Sequence, residues 1–414
     1  MADIVIIGGG IVGLCSAYYL NKDGHRVTVL DKGDIAGNCS YGNAGMIVPS
    51  HFVPMASPGM INRGIRWMFD SKSPFYVRPS FSRALIGWGL QFMRHANAKH
   101  VKRSAAPLRD LSLLSHRLYT ELAAQPGFDM GLRHRGILAF FKTEKTAEEE
   151  SHLVEDARAL GLDMAVLDPA ECKALQPGLE LDVLGAVHYR CDSHLTPMTL
   201  MDALQKHLAE NGVSILKQHE VDGVDIEKGI VKSVLAGGKK FTADRFVLAA
   251  GAWSPEVART MGIGLSLMPG KGYSFLQHNP GGIVEVPALL CEARVAITPM
   301  DGRIRFGGTM ELGRMNDKVN MNRVEGIVSS IPAYFPNLHV KMPAAAEVWH
   351  GFRPSSPDGL PYIGFSKTLK NLVLATGHGM MGLSLGPATG LVVSQLIAEQ
   401  PPVMDVSAFS PDRF

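Results

Sequence analysis

Residues 4–32 read IVIIGGGIVGLCSAYYLNKDGHRVTVLDK, and the class of the fold turns on how this stretch is parsed. Ile4, Val5, Ile6 and Ile7 make an apolar run of strand length. It is followed at once by Gly8, Gly10 and Gly13 in the spacing G-x-G-x-x-G. A helical pattern then runs from Val12 to about Lys22 and stops at Gly24, and a second apolar run, residues 26–30, ends in Asp31. Strand, glycine turn, helix, strand and terminal acid in this order form a βαβ unit with a dinucleotide fingerprint. Gly8 permits the tight turn, Gly10 lets backbone approach a pyrophosphate, and Gly13 lets the helix pack close on the strand. The helix N-terminus, opened by Ile11 and Val12, faces the anionic phosphates. Asp31, with Lys32 beside it, sits where a carboxylate takes both hydroxyls of a ribose. The fingerprint alone does not choose between NAD and FAD.

The far end of the chain makes that choice. Residues 371–376 (NLVLAT) form another short apolar strand, which runs into Gly377-His378-Gly379-Met380-Met381-Gly382 and then a helical segment from about Ser384 to Glu399. This second glycine-rich strand-to-helix junction offers a second helix dipole to a second anionic group. In an FAD protein that group is the pyrimidine edge of the reduced flavin. A third apolar strand, residues 245–250, ends in Gly251-Ala252-Trp253-Ser254. Three glycine-punctuated strand ends point to one nucleotide-binding sheet assembled from separated pieces of chain. The plainer alternative is that the later glycines are only helix caps.

With 414 residues the chain has room for two or three domains, and 46% hydrophobic against 19% charged residues excludes a disordered or fibrous chain. A net charge of +2 is too small to mark the whole chain as a nucleic-acid binder. Cys15, Cys39, Cys172, Cys191 and Cys291 are too sparse for a disulfide framework and suit a reducing compartment. The opening Met1-Ala2-Asp3 has no basic region, so no secretory signal is expected. The most membrane-like stretch, residues 84–93, has about half the length a spanning helix needs. The expected location is cytoplasmic. Peripheral contact with the inner face of the cytoplasmic membrane is suggested by residues 61–103, where nine basic residues face the single acid Asp70. Trp67, Phe69, Phe75, Tyr76, Phe81, Trp88 and Phe92 are interleaved with those charges. An anionic membrane surface would suit this pattern, as would aromatics in a core with a solvated basic rim, and RNA is a third, more distant reading. His188, Cys191 and His194 lack a fourth partner and lead into a helix that Thr196 caps and Pro197 opens; no metal is expected. Residues 213–216 and 230–235, with turns at Gly223 and Gly229, read as a small meander.

The fingerprint, the block CSYGNAGMIVPSHFVPMASPG (residues 39–59), LAAGAWS, KGYS, GFRPSSPDGLPYIG and GHGMMGLSLGPATG together resemble the D-amino acid oxidase superfamily, and within it the bacterial D-amino acid dehydrogenases. The likeness covers nearly the whole chain, with Asp31 where many relatives carry Glu. It implies an α/β chain with a Rossmann-type FAD-binding domain (residues 1–50, 180–265 and 345–414) and an interleaved α+β substrate-binding domain (51–179 and 266–344). For cofactor contacts the resemblance implies Ser40, Asn43, Ala44, Gly45 and Met46 of the NAG block and a backbone contact to adenine at Val221. It adds Ala250, Gly251 and Trp253, then Gly379, Met380, Met381, Gly382 and Leu383. Some sarcosine-oxidising relatives attach flavin to a cysteine in the segment matching residues 347–357. None lies there, so the FAD is expected to be non-covalent.

An amino-acid substrate needs its carboxylate held, its Cα–H aimed at the flavin and its amine unprotonated. Arginine pairs bidentately with a carboxylate, and the resemblance gives that task to Arg353; an ion pair with Asp358 is its structural alternative. Tyr273 is the next candidate, through its phenol or as pocket wall. His51, beside the NAG block, is a candidate lining residue, and His350 and His378 adjoin flavin-side motifs. The implied reaction is oxidation of a D-amino acid, D-proline or hydroxy-D-proline included, by hydride transfer from Cα to flavin, with electrons passed to a quinone or other acceptor. The alternatives are a glycine- or sarcosine-type amine oxidase using oxygen and, further off, an RNA-modifying flavoprotein. Preference for the D form comes from the resemblance alone.

Overall fold

A computed structural model of the chain describes residues 1–67, 73–77, 82–278 and 280–414, with the side chains at 63 and 65–67 outside that description. The opening apolar run is the strand Asp3–Ile7, central in a six-stranded sheet. In order across the sheet lie Tyr362–Phe365, Leu372–Thr376, Arg245–Leu248, Asp3–Ile7, Arg26–Leu30 and Ser214–Leu216. All neighbours are parallel except Tyr362–Phe365. A parallel sheet is covered on both faces, which is why its strands are apolar without alternation. Ile4 and Ile6 join a core with the helices Ile11–Lys22, Pro197–Glu210 and Gly382–Ile397. Val5 and Ile7 join another with the meander and the helix Ser254–Thr260.

That meander is Val221–Glu227, Ile230–Ala236 and Lys239–Thr242. Residues 213–216 do not belong to it, contrary to expectation: Ser214–Leu216 pairs with Arg26–Leu30 at the edge of the parallel sheet. Gly223 is no turn either, and lies at a register shift inside its strand. Three-residue apolar strands carry no local mark of their partner.

A larger, mixed sheet runs from Trp349–Ser355 through Met268–His278, Arg303–Leu312, Val295–Met300, Ala288–Leu290, Ile137–Phe141 and Gly185–Tyr189 to Met164–Leu167. The two sheets do not divide the chain at residues 180 and 345. Gly185–Tyr189 is the antiparallel partner of both Ile137–Phe141 and Met164–Leu167, and Trp349–Ser355 is that of Met268–His278. Both strands therefore belong with the larger sheet, since pairing rather than chain order sets the division. The long helix Ala98–Ala123 departs the other way. Its Tyr119 and Leu122 enter the core beneath the fingerprint helix, and the Tyr119 hydroxyl donates to the Leu383 carbonyl at 2.6 Å.

Gly379–Ile397, rather than residues 84–93, is long and apolar enough to cross a membrane, and two-thirds of it is buried inside the protein. It crosses the fingerprint helix closely. A Cβ on Gly390 would stand 2.5 Å from the Cys15 carbonyl carbon, and one on Gly386 would stand 2.9 Å from Ile11. Thr196 occupies the N-cap position of its helix without a side-chain capping bond.

Within the basic-aromatic stretch, Trp88 is buried, stacks on Phe92 and donates its indole N–H to the Ser355 carbonyl at 2.8 Å. The Arg323 guanidinium lies over the Tyr76 ring. These described aromatics thus face protein. On the helix Arg83–His95 it is Ile86, Leu90 and Met93 that are exposed, by 51%, 58% and 51%. Phe69, Asp70, Lys72, Arg78 and Phe81, and the side chains of Arg63, Arg66 and Trp67, lie outside the described residues.

Candidate functional site

Between the two sheets lies a cavity of about 900 Å³, in the upper range for small-molecule sites. One end is built by the fingerprint. Gly8 has φ +114°, where a side chain is strained, and its Cβ would stand 2.5 Å from the Ala249 carbonyl oxygen. A Cβ on Gly13 would meet the Gly8 carbonyl oxygen at 1.9 Å, so no larger residue lets helix and strand approach this far. Asp31 closes the second strand with its carboxylate already oriented: Gly9 N–H donates to one oxygen at 2.7 Å and Gly33 N–H to the other at 2.8 Å. Ser40 Oγ accepts from Ile11 N–H at 3.0 Å in the first helical turn. Lys32 lies 4.0 Å over the Trp253 ring.

The structure brings nearly all the expected residues to this one cavity. Gly8, Gly10, Ile11, Val12, Asp31, Lys32 and Ser40 line it, with Val221, Ala250, Gly251 and Trp253 at the same end. Asn43, Ala44 and Met46, then Gly379, Met380, Met381, Gly382 and Leu383, line it further along. Gly13 and Gly45 do not. Gly13 is filled behind by the strand, and Gly45, at φ +77°, turns the chain so that its carbonyl accepts from Leu195 N–H at 2.8 Å.

The loop around Asn43 is held from the larger sheet. Arg305, 4% exposed, donates through Nη1 to the carbonyls of Tyr41 at 2.9 Å and Asn43 at 2.5 Å, and Ser274 Oγ donates to the Gly42 carbonyl at 2.8 Å. Burial pushes the Arg305 guanidinium down to about 10. The sequence reading missed Arg305, and its one signal was a lone charge between the apolar Ile304 and Phe306.

Arg353 lines the cavity and donates through Nη1 to the Thr309 carbonyl at 2.7 Å. Asp358 does not pair with it. Arg413 takes that carboxylate in a two-armed contact at 2.7 and 3.0 Å, and no carboxylate among the described residues pairs with Arg353. Desolvation pushes Arg353 down to about 10, still protonated at neutral pH. The guanidinium fits because residue 272 has no side chain: a Cβ on Gly272 would stand 2.2 Å from Nη1.

Tyr273 is among the residues lining the cavity, but its phenol is bonded elsewhere. Only 1% exposed, it packs with Phe275, Val324 and Ile327 in the core on the sheet face away from Gly272. Its phenol donates to Glu311 at 3.1 Å and accepts from Asn320 N–H at 3.2 Å. Strand alternation sends neighbours to opposite faces, and these two hydrogen bonds hold the hydroxyl on the side away from Arg353.

His51 lines the cavity with its Nδ1 3.0 Å from Ser50 Oγ, which in turn donates to buried Asp192 at 2.6 Å. Burial, and secondarily Arg294, push His51 down to about 4; burial pushes Asp192 up to about 7. His350 lies 3.5 Å from Asp317, and His378 is buried against the Thr389 hydroxyl at 2.9 Å. His188, Cys191 and His194 diverge: the first bonds the Arg135 carbonyl, the second Asp192, and the third sits in a short ladder with Met46. Among the described residues no three potential metal ligands converge. Ser50 and Asp192 were also missed, because they meet across 142 residues of chain.

The profile of one family, described as FAD dependent oxidoreductase (DAO), matches residues 3–396. The chain belongs to this family. Among curated relatives it is 31% identical to a D-amino acid dehydrogenase of Granulibacter bethesdensis, over 97% of this chain and 97% of that protein. It is 29% identical to a D-amino acid dehydrogenase of Helicobacter pylori, over 95% and 94%. Glycine oxidase from Geobacillus kaustophilus has the same fold, with a TM-score of 0.80 at 24% identity over 100% of this chain and 99% of that one. As an FAD-dependent oxidoreductase the chain needs a dinucleotide cradle, and its residues fit one. A carboxylate stands at the strand end, and two glycine-led helix N-termini open on one cavity. At Gly251 and Gly379, both at φ +55°, nothing lies within 4 Å of where a Cβ would be.

Proposed function

We propose that the protein is an FAD-dependent D-amino acid dehydrogenase that oxidises its substrate at the C–N bond and passes the electrons to a quinone or other acceptor. The single observation carrying this reading is Arg353: a guanidinium facing a cofactor-sized cavity with no carboxylate partner among the described residues. The named activity of the full-length relatives agrees with it.

In this reading Asp31 takes the ribose hydroxyls, and the N-terminus of Ile11–Lys22 faces the pyrophosphate. The turn at 379–382 and the 43–46 loop, anchored by Arg305, bound the flavin, with Val221 at the adenine. FAD, held without a covalent bond, supplies a hydride acceptor. Arg353 binds the substrate carboxylate bidentately and so fixes where Cα lies, and positioning of this kind is the main source of rate. The walls exclude water from the reacting carbon. The imine product leaves and hydrolyses to a 2-oxo acid and ammonia; D-proline or a hydroxy-D-proline would leave as a cyclic imine.

A peripheral contact with anionic membrane completes the proposal, since a quinone acceptor lies there. Its support is the helix Arg83–His95, where exposed Ile86, Leu90 and Met93 follow one another at helical spacing with exposed Arg83, Arg94, Lys99 and Arg103 close by in the chain.

The deciding experiment is anaerobic bleaching of the flavin by paired D- and L-amino acids, glycine, sarcosine and D-proline. Bleaching by D-amino acids with slow recovery of colour in air supports the dehydrogenase. Bleaching by glycine or sarcosine alone, with immediate recovery in air, would overturn it in favour of an amine oxidase.

A further inference from the structure

Beside the cavity, three side chains stand in series from interior to wall. Asp192 is 1% exposed and Ser50 4%, and His51 lines the cavity itself. The Asp192 Oδ1 atom accepts from Ser50 N–H at 3.0 Å and from the Cys191 thiol at 3.5 Å, and Oδ2 accepts from Ser50 Oγ at 2.6 Å. A serine hydroxyl has one hydrogen. While Asp192 is ionised Ser50 gives it to that carboxylate, and the contact of 3.0 Å to His51 Nδ1 then requires the ring to be the donor. The tautomer is thereby set: Nδ1 carries the proton and Nε2 carries a lone pair. Nε2 has no hydrogen-bond partner among the described residues.

We propose that His51, Ser50 and Asp192 form a proton path that draws the proton from the substrate's ammonium group into the protein, leaving the free amine that oxidation at the C–N bond requires. The inference rests on the function proposed above. His51 Nε2 takes the ammonium proton as Nδ1 gives its own to Ser50 Oγ, and the Ser50 hydroxyl proton passes to Asp192 Oδ2. The chain ends with every hydrogen bond reversed. The substrate's positive charge and the Asp192 negative charge are both cancelled, no charge stays on the ring, and no electrons move.

The surroundings favour this outcome over a histidinium. Arg294 faces the ring and with burial holds it neutral, while burial leaves the Asp192 carboxyl able to keep a proton near neutrality. The other titratable groups facing the path are Tyr189, edge-on to His51 at 6.4 Å, Glu150 behind the Tyr189 hydroxyl at 2.9 Å, and Cys191. Ser50 and Asp192 touch no substrate in this scheme. They are positioning residues acting through His51.

The test uses the holoenzyme and anaerobic flavin bleaching by its best D-amino acid across pH. Ser50→Ala and Asp192→Asn should each bleach about 100-fold more slowly than wild type at pH 7. The gap should close above about pH 10, where the amine is free without help, and Ser50→Thr should restore the rate. A loss independent of pH, or a Ser50→Ala rate equal to wild type at pH 7, would overturn the path. The second readout is infrared difference spectroscopy of the wild type at pH 8 with 2-aminoisobutyrate, which has ammonium and carboxylate groups but no Cα–H. A protonated-carboxyl band, absent in Asp192→Asn, is expected on binding. Binding seen in the flavin spectrum without that band would sink the path even if the variants fail to fold. A wild type that no D-amino acid bleaches would instead refute the proposed function.

Discussion

Arg353 and Tyr273 sit on neighbouring strands and both border the cavity, but their side chains have different partners. Arg353→Lys keeps the charge but loses the fork; losing a charge-assisted hydrogen bond worth about 1.5–3 kcal/mol raises KM for the amino acid by about 10- to 100-fold. Steady-state kinetics at constant flavin content measures this. Tyr273→Phe removes a hydroxyl bound on the far face, so the expected loss is about 1 kcal/mol of stability in thermal unfolding, with KM unchanged. The same residue scale carries a pH dependence. Asp192 titrates near 7 when folded, above the ordinary carboxyl range, and His51 near 4, below the ordinary imidazole range. Between these values the folded chain holds an Asp192 proton that the unfolded chain has lost, so this contribution to stability falls as pH rises. His51 acts oppositely: the unfolded chain binds the proton that the folded ring refuses, so stability rises with pH. Asp192→Asn removes only the falling slope. Its melting temperature should climb more steeply from pH 4 to 7 than that of wild type, and parallel curves would contradict the assignment.

At the scale of elements, the two helices that open on the cavity are locked by glycine. Gly390 lies where any Cβ would strike the backbone of Cys15, so Gly390→Leu must push Gly382–Ile397 away from Ile11–Lys22. Overpacking of this kind costs about 1–3 kcal/mol. Since both N-termini face the cofactor cavity, flavin affinity should fall with stability, which flavin content after dialysis reports. The helix Arg83–His95 makes a separate prediction. Its buried side holds Trp88 against the larger sheet, while Ile86, Leu90 and Met93 face outward. Replacing Leu90 and Met93 with Glu should abolish co-sedimentation with anionic vesicles and leave bleaching of the soluble enzyme unchanged. Wild type that fails to sediment with such vesicles removes the membrane contact from the proposal.

For the whole molecule, the cavity lies between two sheets whose strands alternate along the chain, so cofactor and fold are thermodynamically linked. Free FAD at about 100 times its dissociation constant should add about 2.7 kcal/mol, seen as a melting temperature that rises with FAD concentration. Denaturation should release all the flavin into the supernatant; flavin retained on the precipitated chain would refute non-covalent binding. Cys39 is the thiol to examine then, since it lines the cavity and its sulfur accepts from Phe352 N–H at 3.2 Å.

The nucleotide-binding half was legible because its signals are local. The strand Asp3–Ile7, the glycines at 8, 10 and 13 and the acid at 31 answer to backbone sterics and to a helix dipole, which act over a few residues. The place of Arg353 on the cavity wall was legible through its motif. What sequence could not supply depends on contacts between distant segments. Ser214–Leu216 joins the parallel sheet, and Gly185–Tyr189 the larger one, by hydrogen bonds that any apolar strand offers equally. Tyr273 borders the cavity with its hydroxyl committed to Glu311 and Asn320, and because its strand is buried on both sides no alternation marks where that hydroxyl goes. Arg305, Ser50 and Asp192 acquire their partners only when segments far apart in the chain are brought together. In each case burial is a property of the folded whole, and a side chain's chemistry follows from what burial leaves within reach.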